Sequence, residues 1–360
     1  MSIFARIFTF ILGIAVTLSS FSFRTISDRA EDFRVTAYVV GNNFVNEKNI
    51  DASHFSDITD VILFGVSSFN TAGEVVLSEN FDKVLTNVRN AIGDSPARLH
   101  LNLLGPGAVG SFDTWEEQMD SQGKQHDIAF RSGKLQKNIK DVLDKYSFDG
   151  VFFDYEYPEK EEHWKVFDEF LISFDSYLGD DYILGCAFSP WHDGQSKEAM
   201  KVLDMVEVMA YDLWEEDGTH SSFKDAKYII KLMLEMGYEK SQLDLGIPFY
   251  ARPTTQEAYW YGYNGNYDKL DKNGFCFDEE TGLTFSFNTY DVVYEKTQWA
   301  IMKGLGGAMV WHYSCDVPKE NSLSLFNAMH NAIEDTAHGR IFRSTGTVKH
   351  RYCACTAAVI

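Results

Sequence analysis

The chain has 360 residues, room for one large domain or two small ones, and its 45% apolar content supplies a full core. Its 53 acidic residues against 32 basic ones leave a net charge of −21. A nucleic-acid partner would meet repulsion and no basic groove is legible, whereas a neutral polysaccharide is indifferent to that charge.

Residues 1–22 stand apart. Residues 1–6 carry one positive charge, residues 7–18 are apolar, and Ser19, Ser20 and Ser22 are small residues near a cleavage point. The expectation is a signal peptide and a secreted protein, because the apolar run is short for a membrane span. The alternative is an uncleaved segment that anchors the chain. No second long apolar run follows, so no stable membrane partner is expected.

From there short apolar runs alternate with amphipathic stretches. Strands are predicted at 35–41, 60–68, 98–104, 150–155, 183–188, 205–210, 244–249 and 307–312. Helices are clearest at 134–145, 162–177, 224–236, 290–303 and 322–333. Eight strands mostly separated by helices argue for a parallel sheet, which periodicity alone leaves either closed or doubly wound. Two long loops are expected: a polar one at 105–133, and one at 253–289 rich in Gly, Asn and aromatics, among them Tyr259, Trp260 and Tyr261. Residues 338–360 turn basic without periodicity, and the segment 337–360 reads as a disordered tail. The five cysteines include Cys186 and Cys315 in or beside strands, which read as buried thiols, and no spacing makes a four-ligand zinc site.

The most informative stretch is Asp149-Gly150-Val151-Phe152-Phe153-Asp154-Tyr155-Glu156-Tyr157-Pro158. On a strand Phe152, Asp154 and Glu156 share one face, and Val151, Phe153 and Tyr155 the other. Two carboxylates at i and i+2 repel unless they share a proton, which raises one pKa and leaves a group able to donate near neutral pH. An arbitrary Asp-x-Glu is more often an exposed strand end before a turn, so the neighbours decide.

This stretch resembles the active-site strand of glycoside hydrolase family 18, the chitinases and their relatives. Their Asp-Gly-x-Asp-x-Asp-x-Glu ends the fourth strand of a (β/α)8 barrel. Three further segments match in order: Val-Glu-Val-Met-Ala-Tyr-Asp at 206–212, Leu-Asp-Leu-Gly-Ile-Pro-Phe-Tyr-Ala-Arg at 243–252, and Gly-Leu-Gly-Gly-Ala-Met-Val-Trp-His-Tyr-Ser-Cys-Asp at 304–316.

The resemblance implies an α/β fold, a (β/α)8 TIM barrel over residues 30–336 with a short insertion after the seventh strand. It places Glu156, Asp154, Tyr211 and Asp149 in the catalytic machinery, with Glu156 as acid and base. Met209, Asp212, Trp311, Tyr38, Phe64 and Arg252 would bind substrate. Trp311 would floor the sugar, although a Trp there also suits an ordinary core. His192 and Asp193 could line the cleft. The substrate implied is chitin or another N-acetylglucosamine-containing glycan, cut by a substrate-assisted retaining mechanism without metal or cofactor. The alternatives are an endo-β-N-acetylglucosaminidase and a chitinase-like lectin that binds without cutting. Lectins of that kind typically lose the Glu that stands here at 156. One departure is Phe152, where the family has Asp. A ring there would strip polar solvation from Asp154 and favour one proton shared with Glu156.

Overall fold

The short, mostly apolar runs at 34–40, 98–104 and 150–154 have their physical outcome in strands buried on both faces. The structure is a computed structural model and describes residues 25–191 and 194–340. Strands run in chain order as β1 (Arg34–Val40), β2 (Asp60–Phe64), β3 (Ser67–Phe69), β4 (Val75–Leu77), β5 (Arg98–Leu104), β6 (Gly150–Asp154) and β7 (Ile183–Phe188). They continue as β8 (Met205–Val208), β9 (Leu243–Pro248), β10 (Tyr250–Pro253), β11 (Tyr261–Gly262), β12 (Phe275–Asp278), β13 (Leu283–Ser286) and β14 (Gly307–Trp311).

Eight of them pair in parallel in the order β1-β2-β5-β6-β7-β8-β9-β14, and β14 pairs with β1, which closes the sheet into a barrel. The expected (β/α)8 TIM barrel is the observed fold. Outward residues of β6 show why the helices stay on the outside. Phe153 meets Phe167, Phe170 and Phe174 of the helix Glu161–Leu178, and each such ring, fully buried, contributes about 1.5–3 kcal/mol. Helix ends follow their caps: Ser222 and Asp225 form a capping box for Phe223–Met236, and Thr289 caps Tyr290–Lys303.

Both expected long loops are in fact built. Within 105–133 lies the helix Trp115–Phe130. Its polar residues nearly surround it and hide the 3.6 period, yet Thr114 caps it through the Glu117 N–H, a Thr-x-x-Glu signal present in the sequence. It packs on the helix Glu161–Leu178 at Gly123, where a Cβ would strike the His163 ring. Within 253–289, β10, β11, β12 and β13 make an antiparallel sheet in the order β11-β10-β13-β12. Tyr261 stacks on Phe285 in that sheet's own small core. Cys186, Cys276 and Cys315 are buried free thiols. The expected signal peptide, His192, Asp193 and all of the tail beyond Arg340 lie outside the described residues.

The barrel interior is layered. Tyr38, Ile62, Phe152, Met205 and Met309 form an apolar cluster. Phe152 fills the space that a Cβ on Gly185 of β7 would need, so the glycine and the ring are complementary. Toward the N-terminal ends of the strands lie Arg34, Asp60, His100, Glu207 and Asp244.

Candidate active site

The C-terminal ends of barrel strands point into one cleft of about 440 Å3. β6 delivers Asp154, which is 8% exposed, and the chain leaving it delivers the exposed Glu156. Burial first, and the neighbouring Glu156 second, push the Asp154 carboxyl well above the usual carboxylate range. Beyond β8 come Met209, Tyr211 and Asp212; from β10 come Tyr250 and Arg252; from β1 comes Tyr38; and β14 ends on Trp311. Burial raises the Tyr38 and Tyr211 phenols far above 10, so both remain neutral donors. The Glu156–Tyr157 and Trp311–His312 peptide bonds are cis.

Asp212 sits at φ +58, a left-handed conformation costly for a non-glycine residue. Its surroundings hold it there. Its N–H donates to Ser221 Oγ at 2.9 Å. Its carboxylate accepts from Arg252 Nε at 3.2 Å and Nη2 at 2.9 Å, from Tyr250 Oη at 2.7 Å, and lies 2.9 Å from His220 Nε2. Burial alone would raise this carboxyl, but the bonds from His220, Arg252 and Tyr250 bring it well below the usual range. Asp212 is therefore an ionised anchor with its acceptor capacity in use.

The aromatic floor is a cluster of rings. Trp311 lies 5.2 Å from Tyr38 and edge-on to Phe64 at 4.9 Å. Phe64 stands behind Trp311 and is not part of the lining. Trp260 stacks between Tyr250 at 5.2 Å and His312 at 5.4 Å and faces the cleft.

The structure thus brings together Glu156, Asp154, Tyr211, Met209, Asp212, Trp311, Tyr38 and Arg252 around one space. Asp149 is the correction. It begins the turn into β6 at the opposite end of the barrel, where its Oδ2 accepts from the Leu99 N–H at 2.7 Å. A five-residue strand lies between it and the cleft, so Asp149 ties β5 to the start of β6 and does not reach the site. Tyr157, Ser189, Trp191 and Tyr250 also line the cleft and went unremarked in the sequence. Tyr250 was within reach, since it stands two residues before Arg252 on the same face of an extended strand.

Among the described residues, one trio has ligand atoms close enough together to hold a cation: Asp120, Glu162 and His163. It lies on the barrel exterior, and Asp120 is already bridged by Lys124 at 2.8 Å and Lys160 at 2.5 Å.

Comparison with known proteins meets this geometry. The family model described as Glycosyl hydrolases family 18 matches residues 129–316. Chitinase 1 of Aphanocladium album is 26% identical over 243 residues, covering 52% of this chain and 56% of that protein. The chain spans about half the length of the curated relatives it matches. Among solved structures, the GH18 chitinase ChiB of Flavobacterium johnsoniae superposes with a TM-score of 0.67 at 21% identity, covering 84% of this chain and 94% of that one. A chitinase from Bacteroides thetaiotaomicron also reaches 0.67, at 17% identity, covering 86% of this chain and 99% of that one. At these identities the structural likeness is one of fold.

Proposed function

The chain belongs to family 18 of the glycosyl hydrolases, and on that premise we propose that it is a glycosidase that hydrolyses β-1,4-linked N-acetylglucosamine polymers such as chitin. The observation that carries this reading is the Asp154–Glu156 pair at the mouth of a cleft floored by Trp311 and faced by Tyr211. Relatives bearing the name chitinase support the substrate class.

Glu156 acts as general acid and protonates the glycosidic oxygen, so the leaving sugar departs as an alcohol. Cleavage with retention needs a nucleophile on the other face of the ring. The carboxylates lining the cleft are Asp154, Glu156 and Asp212. Asp154 is buried and favours its neutral form, and Asp212 is held by Arg252, Tyr250 and His220. A neutral buried carboxyl and a carboxylate engaged by three partners are both poor nucleophiles toward an anomeric carbon. That supports substrate assistance, in which the 2-acetamido carbonyl oxygen attacks C1 and forms an oxazolinium ion. Once its proton has passed to Glu156, the Asp154 carboxylate accepts the acetamide N–H and balances the positive charge, and Tyr211 donates to the acetamide oxygen. Water then opens the ring from the side that the leaving group vacated, giving its proton to Glu156. The flat face of Trp311 packs against the sugar's C–H groups. The polymer would be met outside the cell, the location expected from residues 1–22.

Incubation with defined N-acetylglucosamine oligomers, with products read by mass and by anomer, tests this. Shorter oligomers appearing first as β-anomers are expected, and cello-oligomers should stay intact for want of an acetamide. Efficient cutting of cello-oligomers would overturn the mechanism. Binding without cutting would leave the lectin reading.

A further inference from the structure

Among the described residues Lys296 is the one lysine that is fully buried, and it stands behind the cleft, not in its lining. It comes from the helix Tyr290–Lys303. Its amine donates to two oxygens, the Ser221 carbonyl at 2.8 Å and Asn288 Oδ1 at 2.6 Å, and neither is a carboxylate. Burial brings its pKa down to about 7, with Asp225 the charge that raises it. An amine so placed trades its hydration for two directed bonds, which fix the backbone they grip.

What they grip is the return of a short excursion of the chain. Beyond β8 the chain departs at Asp212 and comes back at Ser221. The Asp212 N–H donates to Ser221 Oγ at 2.9 Å, the Ser221 N–H donates to the Leu213 carbonyl at 2.7 Å, and Trp214 bridges to His220. Both ends are left-handed, Asp212 at φ +58 and Ser221 at φ +50, a conformation costly for either residue. Asn288 extends the grip, its Nδ2 donating to the His220 carbonyl at 3.3 Å and to the Ser221 carbonyl at 3.2 Å. The His220 ring then meets Asp212 Oδ1 at 2.9 Å. Asp212 is thus clamped from two sides. Arg252 and Tyr250 come from β10, and His220 with Ser221 from the arm that Lys296 secures.

We infer that Lys296 is a positioning residue for Asp212, holding the arm 220–221 so that the Asp212 carboxylate keeps its place in the cleft. Without the amine, Asn288 Oδ1 is left buried with no donor, and the Ser221 carbonyl keeps only the Asn288 N–H. The arm then relaxes from its left-handed turn, and Ser221 and His220 withdraw from Asp212. Arg252 and Tyr250 alone hold the carboxylate, from one side. The consequence for a ligand rests on the proposed function, in which Asp212 binds the sugar. Glu156 is not a member of this network, so binding suffers more than the proton transfer.

Steady-state kinetics of a double-mutant cycle on the full chain tests this. Lys296→Met keeps the apolar stem and removes the amine. On N-acetylglucosamine oligomers it should raise KM by roughly tenfold while kcat falls by less than about threefold. Asp212→Ala should show the same split, and the double variant should be no worse than Asp212→Ala alone, because Lys296 acts through Asp212. A lysine that served only the fold would leave the KM of the folded enzyme unchanged, or add its effect to that of Asp212→Ala; either result overturns the inference. Should Lys296→Met fail to fold by circular dichroism, Lys296→Gln, which keeps N–H donors on a shorter stem, enters the same cycle. If wild type cuts no such oligomer, the proposed function fails and imidazole NMR decides. The Lys296 variant should then move the His220 ring signals toward those of Asp212→Ala, and unmoved signals would sink the idea.

Discussion

Buried acids stand at both ends of the barrel interior, and the two ends deal with them differently. At the lower end Asp60 meets Arg98 at 2.8 Å and His100 at 2.7 Å. Burial would raise its carboxyl, but bonds from His100 and Arg98 bring it down to about 2. Asp244 is held by the Arg34 guanidinium at 2.5 Å and by the Thr36 hydroxyl at 3.1 Å. At the upper end the cation, Arg252, is spent on Asp212, and Asp154 faces another acid across an open cleft. Cations below neutralise charge and fix geometry, since buried acids are costly when unpaired. Above, Asp154 has no cation beside it, and burial raises its carboxyl. Charges at the lower end therefore belong to stability, and under the proposed function those at the upper end serve chemistry.

Breaking the lower pairing should have the largest effect. Arg34→Met strands the fully buried Asp244, and urea denaturation should show a loss of about 3–5 kcal/mol. Turnover per folded molecule should stay near wild type. A matching loss of turnover would mean that the two ends are coupled. Next comes Glu156→Gln, at an exposed position. Turnover should fall by roughly 10² or more while stability changes by less than about 0.5 kcal/mol. Retained turnover would remove Glu156 from the role of acid.

Glu207 is the exception at the lower end, and pH brings it out. It is fully buried, both its oxygens lack partners, and burial, followed by the charge of Asp244, raises its carboxyl well above the usual range. The folded state then keeps a proton that the unfolded chain releases near pH ~4.3. Stability from this group is full below that pH and declines as pH climbs toward the raised folded value. Glu207→Gln cannot ionise, so its stability should be flatter across that window, with a gain of about 1.4 kcal/mol at neutral pH for each unit of displacement. An unchanged slope in pH-dependent unfolding would show that Glu207 is ionised and paired. The smallest effect is expected for Trp260→Ala, at the half-exposed edge of the cleft. KM for oligomers should rise several-fold, on the order of 1 kcal/mol of stacking, with kcat and stability nearly unchanged. An unaltered KM would assign Trp260 to its stack with Tyr250 and His312 alone.

Which features were legible follows from how local their signals are. The eight barrel strands lie within a few residues of their expected limits, because a strand buried on both faces is a short apolar run. The helix Trp115–Phe130 escaped because most of its surface is polar and its buried residues are confined to Met119, Gly123, His126, Ala129 and Phe130. The sheet of β10 to β13 escaped because Gly and Asn mark its turns so densely that its short strands read as loop.

By itself the sequence determined that Phe152, Asp154 and Glu156 share a face, since side-chain direction along a strand has a period of two. Its ordered motifs, Tyr211 and Trp311 among them, implied the barrel through their resemblance to family 18, where periodicity left closure open. Tertiary structure alone decided which carboxylates are paired. Asp149 lies near Asp154 in the chain yet binds the Leu99 amide at the far end of the barrel, while Asp212 is clamped by Arg252 from another strand. A carboxylate's protonation is set by the donors and the water within a few ångströms of it, and inter-strand register, which no local pattern encodes, brings those donors into place.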